Sequence, residues 1–578
     1  MSVLPPLAKD DSVSQDSIAA ERPSLDAAKA ESADSASSLK KETSVSGRLE
    51  WLRVDDSTLA GNLTYNQLSL EEKKHVLINR EMDLMNETSF WRLGRYQLCG
   101  FGYFLDLAWA MIFGLVAGQI KQELGIANNR IGEISTSFSA GMTAGAFFWG
   151  ILVDIIGRRW AFNLSCLFAS VFGLLFAAPS NFGALCFLAA MTGIGVGGNI
   201  PIDATICLEF LPTKRRFLLC ALSTFQPLGV VAAALISWGT VPRWACDTAL
   251  PSCGTGQTPC CRKQDNMGWR YAMIIIGLLT LTIFFLRYLV FTFYESPKFL
   301  LTRGKDAEAL EVLYKVAKFN KAPVPNLTIE DFQLMDAHYA EEESRASDEP
   351  INAAPQVLGK KALAKRRMQQ VGNQLKNLTA LFSSPRAIWL TATLWVAYMS
   401  LFFAFSISGT YLPLILRQKG IDTSRTLNET YLSYVIIKLP GITATILGCL
   451  LMELPLLGRR GAMVLSAGLM GASLFLFSTV DSMAAFTGMN LFEYWCQSLY
   501  AALLYASTPE YFPAKIRGSG SGTASALGRV ASTVAPIAAG TIFNPRSNGV
   551  LYLAGGAALV SAVAVGLIPY EIKGKHTF

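Results

Sequence analysis

The chain of 578 residues is 51% hydrophobic and only 16% charged, against roughly 25% charged residues in an average soluble domain, so composition excludes an ordinary water-soluble protein. The formal charge of +7 does not point to nucleic acid, because the basic residues stand in short clusters beside apolar runs, as the positive-inside rule requires. Nucleotide-driven pumps and zinc hydrolases are excluded by motif: no G-x-x-x-x-G-K-[ST] and no H-E-x-x-H occurs, and His75, His338 and His576 lie outside the apolar runs. Neither enzymatic activity nor a cofactor or metal is expected.

Residues 1–47 mix Ser, Ala, Asp, Glu and Lys without an apolar segment, which predicts a disordered tail and no signal peptide. Ser69-Leu70-Glu71-Glu72 reads as a capping box opening a short amphipathic helix. Apolar runs of about the 20 residues that cross a bilayer then fall at 96–118, 131–153, 160–178, 184–208, 217–239 and 270–293, and after a long hydrophilic stretch at 387–409, 431–452, 461–479, 484–505, 519–541 and 550–568. These are spans 1 to 12 below. The expectation is an all-α membrane protein with a cytosolic tail over 1–90, six helices over 91–294, a cytosolic linker over 295–385, six helices over 386–569 and a cytosolic tail over 570–578.

Basic clusters set the orientation. Arg92, Arg95, Arg158, Arg159, Lys214–Arg216, Lys298–Lys305, Lys365–Arg367, Arg459, Arg460, Lys515, Arg517, Lys573 and Lys575 fall on one side of the predicted bundle, which should face the cytosol. The opposite side holds the 240–268 loop with Cys246, Cys253, Cys260 and Cys261. An oxidising compartment there would allow disulfides, in any of three connectivities. The sequon at Asn428 lies on that side and is a glycosylation candidate, whereas those at Asn62, Asn86, Asn326 and Asn377 fall on the cytosolic side.

An internal repeat organises the spans. Gly157-Arg158-Arg159 recurs as Gly458-Arg459-Arg460, and Glu209-Phe-Leu-Pro-Thr-Lys-Arg-Arg216 as Glu510-Tyr-Phe-Pro-Ala-Lys-Ile-Arg517, both 301 residues later (458 − 157 and 510 − 209). A shared offset for two motifs marks a duplicated bundle.

Gly150-x-x-x-Asp154-x-x-Gly157-Arg158-Arg159, with Ile155 where a basic residue is usual, resembles the loop motif after span 2 of the major facilitator superfamily. Glu295-Ser-Pro-Lys-Phe-Leu300 resembles the sugar-porter P-E-S-P-R-W-L, and Glu571-Ile-Lys-Gly574 loosely echoes P-E-T-K-G. Gly193-x-Gly195-x-Gly197-Gly198-Asn199-x-Pro201, followed by Glu209-Phe-Leu-Pro212 and Thr508-Pro-Glu510-Tyr-Phe-Pro513, is most similar to the synaptic-vesicle-protein-related branch and its fungal members. The resemblance covers about 95–570 and implies twelve helices in two pseudo-symmetric six-helix bundles. It implies a secondary transporter working by alternating access, with a gate built from Gly150, Asp154, Gly157, Arg158, Arg159, Glu209, Arg216, Glu510 and Arg517. Ala189 stands where many proton-coupled members carry Arg in span 4.

Ionisable residues within spans are costly and mark function by default. Asp106 and Asp203 are the candidate proton sites, while Lys438, Glu493 and Arg529 complete the charged set. Arg529 is expected to face Glu493 or an anionic substrate, and Arg287 to snorkel from the end of span 6. Asn199, Gln226, Tyr411, Gln497 and Tyr500 could hydrogen-bond a hydroxylated solute or satisfy neighbouring helices. The glycines of span 4 suit close helix packing. Segments 305–319 and 360–381 are amphipathic and basic enough to meet lipid headgroups.

The reading is a monomeric secondary transporter with a small-molecule substrate and protons as partners, a sugar or polyol ranking before an organic acid. The plasma membrane ranks before the vacuole or another endomembrane. The alternative is a transporter-like nutrient sensor with little net transport.

Overall fold

The structure, a computed structural model, describes residues 45–53, 65, 68–86, 94–346 and 381–569, apart from short stretches at 127–129, 131, 211–217, 248–249, 254–257, 291–293, 321, 419–425, 455–456, 480–481, 513–515 and 543–547. The chain divides into two compact units, Met1–Arg53 and Val54–Phe578. In the first, Val45–Leu52 is a helix with the Arg48 guanidinium 4.3 Å over the Trp51 ring. The tail before it and the basic segment 360–381 lie outside the described residues.

The second unit is helical, and its described residues hold no paired strand beyond one isolated bridge, Ser252 with Cys261. Each of the twelve predicted spans is a helix or a broken helix. The unbroken ones are Gly94–Leu124, Glu133–Ile156, Arg158–Leu175, Pro385–Gln418, Gly458–Leu476, Met483–Tyr511, Arg517–Ile542 and Gly549–Gly566. Span 4 breaks between Phe182–Gly197 and Asn199–Phe210, span 5 between Leu218–Leu222 and Phe225–Thr240, and span 8 between Leu427–Lys438 and Gly441–Glu453, while span 6, Gly268–Phe285, ends in one π turn. Among the described residues nine stretches are long and apolar enough to cross a membrane by length and composition. Spans 3, 10 and 11 are outside that set. Span 11 is rich in Ser, Thr and Gly, span 10 carries Asn490, Glu493, Gln497 and Glu510, and span 3 opens on Arg158 and Arg159.

Spans 2 and 4 approach closely because both carry glycine every fourth residue. A Cβ on Gly141 would lie 2.0 Å from the Ala190 carbonyl oxygen, one on Gly145 2.3 Å from that of Ile194, and one on Gly193 2.3 Å from that of Phe138. Backbone is in direct contact with backbone there, as small-residue packing in membranes allows. Trp109, Phe113, Phe138, Phe176 and Trp269 fill the rest of the first half's core.

Two ends of the bundle can be told apart. At one, here the disulfide end, Cys246 bonds Cys261 and Cys253 bonds Cys260, one of the three connectivities open to the sequence. Glu123 there accepts from Arg270 at 2.7 Å and from the Trp269 indole at 3.0 Å, closing span 1 on span 6. At the other, the basic end, Gly157 and Gly458 both turn the chain with positive φ, +100° and +60°. The 301-residue repeat therefore recurs as backbone geometry that L side chains adopt only with strain.

Near the basic end Leu70–Asn86 packs on the helices that follow span 6. Its capping box is formed, Ser69 N–H donating to the Glu72 carboxylate at 2.9 Å and Glu72 N–H to the Ser69 hydroxyl at 3.4 Å. Lys74 reaches Asp306 at 2.5 Å and Asp336 at 2.6 Å, and His75 Nε2 donates to the Lys298 carbonyl at 3.1 Å.

Candidate substrate pathway

The two halves meet along spans 2 and 11 and along spans 5 and 8, and the seam is bridged at both ends. At the disulfide end the Tyr431 hydroxyl donates to the Leu115 carbonyl at 2.7 Å, and the Trp238 indole donates to Asn428 Oδ1 at 2.8 Å. Asn428, the residue that heads the predicted sequon, thus takes part in the seam. At the basic end Gly150 and Gly522 touch, a Cβ on either falling 3.1–3.2 Å from the other's Cα, and the Thr445 hydroxyl donates to Thr224 at 3.1 Å. Between the ends Gly441 approaches Pro227 so closely that a Cβ on Gly441 would fall 3.0 Å from Pro227 Cβ.

A cavity of about 50 Å³ lies between these closures, lined by Leu107, Gln226 and Pro227 from the first half and Phe402, Phe405, Tyr494, Gln497 and Tyr505 among others from the second. At roughly 10–15 Å³ per water it has room for a few waters. Two predicted residues, Gln226 and Gln497, line it.

The charged residues sort into three sets. Arg529 donates to Asp106 at 2.8 Å with both side chains 3–4% exposed, so the pair crosses the seam from span 1 to span 11. The expected Arg529–Glu493 pair is therefore corrected: Glu493 faces Lys438 and Ser408 instead, and the Lys438 ammonium stands 3.9 Å over the Tyr494 ring. Arg287 does not snorkel. It is fully buried and donates to Asp203 at 3.2 Å, because span 4 supplies a carboxylate at its depth. Asp203 is thereby tied within the first half, away from the cavity lining.

Other predicted residues turn to helix packing. Asn199 Oδ1 accepts from Ser165 at 3.1 Å where span 4 breaks, and the Tyr500 hydroxyl meets Ser561 at 2.5 Å inside the second half. The side chains of Tyr411, Asp154 and Glu209, and all of Arg216, lie outside the described residues. Of the gate motif, Glu510 is fully buried and holds Arg459 at 2.8 Å, while the Arg517 guanidinium donates to the Pro509 carbonyl at 2.9 Å.

Arg158 and Arg159 show a partner that was not assigned to the gate from sequence, Glu295. Its carboxylate accepts the Arg158 N–H at 2.9 Å and the Arg159 N–H at 3.3 Å, capping span 3 from the loop after span 6. Burial pushes the Glu295 carboxyl up from its ordinary value, against the pull of the Arg158 guanidinium and of the backbone N–H groups. A Cβ on Gly157 would stand 2.5 Å from Glu295 Oε2, so glycine is required there by space as well as by φ. Glu295→Ala is expected to lower stability by about 1–2 kcal/mol, the usual worth of an N-cap, with Glu295→Gln keeping part of it. Thermal unfolding in detergent measures both, and equal melting of Glu295→Ala and the parent would deny the cap.

Two six-helix halves flanking a cavity, with a buried ion pair across the seam, are the framework of a multi-pass membrane transporter. The model of the Major Facilitator Superfamily matches residues 99–454, more than half of the chain, and the chain belongs to that family. It is 35% identical over 496 residues to MFS siderochrome iron transporter 1 of Ceriporiopsis subvermispora (strain B), covering 84% of this chain and 89% of the relative. It is 24% identical over 468 residues to the Niacin transporter NiaP of Acinetobacter baylyi (strain ATCC 33305 / BD413 / ADP1), covering 79% and 89%. The solved structure of the proton:xylose symporter XylE bound to 6-bromo-6-deoxy-D-glucose shares the fold with a TM-score of 0.60 at 16% identity, over 83% of this chain and 97% of that one.

Proposed function

We propose that the chain is a proton-coupled carrier of a small carboxylate-bearing solute, in which Asp106 and Arg529 exchange partners during the transport cycle. The observation that carries this reading is the Asp106–Arg529 pair across the seam, beside the cavity. Asp106 adjoins the cavity-lining Leu107, and Arg529 lies 5.9 Å from the ring of the cavity-lining Phe402. A solute carboxylate that took the place of Asp106 on Arg529 would leave Asp106 to be discharged by a proton, so that anion and proton move together. Arginine suits the role because it keeps its charge and binds carboxylates in a planar fork.

The lining favours a flat, partly apolar solute over a sugar. Phe402, Phe405, Tyr494 and Tyr505 offer ring faces, and Gln226 and Gln497 offer two amides. Niacin, the cargo in one relative's name, is a pyridine carboxylic acid that would use both. The organic-acid reading therefore ranks ahead of the sugar or polyol, which retains a likeness of fold and of the Glu295–Leu300 motif. The charge of the basic end supports a cytosolic orientation for it.

The test is uptake of radiolabelled nicotinate by full-length protein in liposomes with an imposed proton gradient. Accumulation that collapses with a protonophore is expected. Accumulation indifferent to the protonophore would remove the proton, and no nicotinate uptake from vesicles that do take up xylose would restore the sugar. Binding of nicotinate without any uptake would favour the sensor.

A further inference from the structure

A second contact across the seam involves two thiols rather than charges. Cys220 sits in the Leu218–Leu222 helix of span 5 and is fully buried, and Cys449 sits in the last part of span 8 and is partly exposed. The two side chains, one from each half, are neighbours across the seam, with Cys220 Sγ lying against the span 8 helix at Gly448, one residue before Cys449. Three neighbouring facts fix the approach. The Cys449 thiol also donates to the Thr445 carbonyl at 3.3 Å, Thr445 donates across the seam to Thr224, and a Cβ on Gly448 would stand 3.3 Å from Cys220 Sγ. Glycine at 448 lets the helix bring its cysteine up to the other half.

We propose that Cys220 and Cys449 form a peroxide-sensitive lock that ties the halves together at the basic end. The partly exposed Cys449 meets the oxidant. Its thiolate attacks hydrogen peroxide, giving a sulfenic acid and water, and the Cys220 sulfur then displaces the hydroxyl of that sulfenic acid as a second water. In sum, two thiols and one peroxide become one disulfide and two waters. Thiols on neighbouring positions across the seam can reach an S–S bond of about 2.05 Å by side-chain rotation and a small backbone adjustment. Spans 5 and 8 face each other across the seam, so the bond would hold this end shut whatever solute is carried. The loop at the other end already keeps its four cysteines as two disulfides, whereas at the basic end, on the cytosolic orientation its charge favours, glutathione and thioredoxin would keep this pair reduced until oxidant appears.

The experiment treats full-length protein in detergent with hydrogen peroxide, blocks remaining thiols with iodoacetamide, and maps peptides by mass spectrometry without reduction. A Cys220–Cys449 crosslinked peptide is expected, lost on dithiothreitol treatment and absent from Cys449→Ser and Cys220→Ala. Hydrogen exchange over 218–230 and 441–453 is then compared between oxidised and reduced wild type, which needs no substitution, and is expected to slow at least about tenfold on oxidation. Peroxide treatment that leaves both thiols alkylated would overturn the site. A crosslink that leaves exchange at both segments unchanged would overturn the lock. Neither readout depends on nicotinate uptake, so failure of the proposed cargo leaves the lock open to judgement.

Discussion

Replacing Arg529 with Met is expected to abolish proton-driven uptake and to destabilise the protein by about 3–5 kcal/mol, the usual cost of removing one partner from a buried ion pair. Asp106 would be left as a carboxylate 3% exposed, with its cation gone. Asp106→Asn strands Arg529 instead, and this variant should be the worse of the two at mildly acidic pH. A lone buried carboxylate can be discharged by a proton, but a guanidinium cannot. Lowering the pH should therefore restore the melting temperature of Arg529→Met and leave that of Asp106→Asn unchanged. The double variant Asp106→Asn with Arg529→Met removes both charges and should recover most of the stability while remaining inactive. If the double variant melts as low as the worse single variant, the two side chains are not energetically coupled. If it transports, the pair has no part in the cycle.

Gly193→Val is expected to have a large effect on folding. The added Cβ would fall 2.3 Å from the Phe138 carbonyl oxygen, and backbone cannot rotate away as a side chain can. Overpacking typically costs 1–3 kcal/mol and occasionally more, and with two helices in backbone contact the upper part of that range, about 3 kcal/mol, applies. Gly145→Val on the facing helix should behave alike. Gly114→Ala supplies the contrast, since nothing lies within 4 Å of its Cβ and exchanging glycine for alanine in a helix gains roughly 0.5–1 kcal/mol. Thermal unfolding of the three variants in one detergent measures the difference. A Gly193→Val protein as stable as Gly114→Ala would deny the close contact of spans 2 and 4.

What the sequence disclosed and what it withheld follow from the range of the forces involved. Twelve apolar runs and a repeat at 301 residues are patterns of local composition, so the helices and their grouping into halves could be read directly. Gly157 and Gly458 could be read as motif positions, and their positive φ shows why glycine stands there. The partner of Arg529 could not be read, because Asp106 lies 423 residues away in the other half and no periodicity links the two. Arg287 was misjudged for a related reason. Depth within a single helix suggests snorkelling, but a carboxylate on span 4 changes the balance towards burial. Glu295 belonged to a recognised motif, yet its use as a cap for span 3 depends on a chain reversal that only the fold reveals. The aromatic lining of the cavity carries no sequence signal at all, since Phe402 or Tyr494 in an apolar run reads the same whether it faces a cavity, a neighbour or lipid.

The contact of Pro227 with Gly441 gives the pair of spans 5 and 8 unequal lever arms. At 1.5 Å per residue, Trp238 lies roughly 16 Å from Pro227 along span 5, whereas Thr224 lies roughly 5 Å and Cys220 roughly 10 Å away on the other side. A given rotation about this contact displaces the Trp238–Asn428 bond about three times as far as the Thr224–Thr445 bond, by the same helical rise. A rotation that parts Trp238 from Asn428 therefore presses Thr224 towards Thr445, and the opposite rotation parts the two threonines over the shorter distance. Any fastening at Cys220 works on the shorter arm, where it must resist more force and permits less travel.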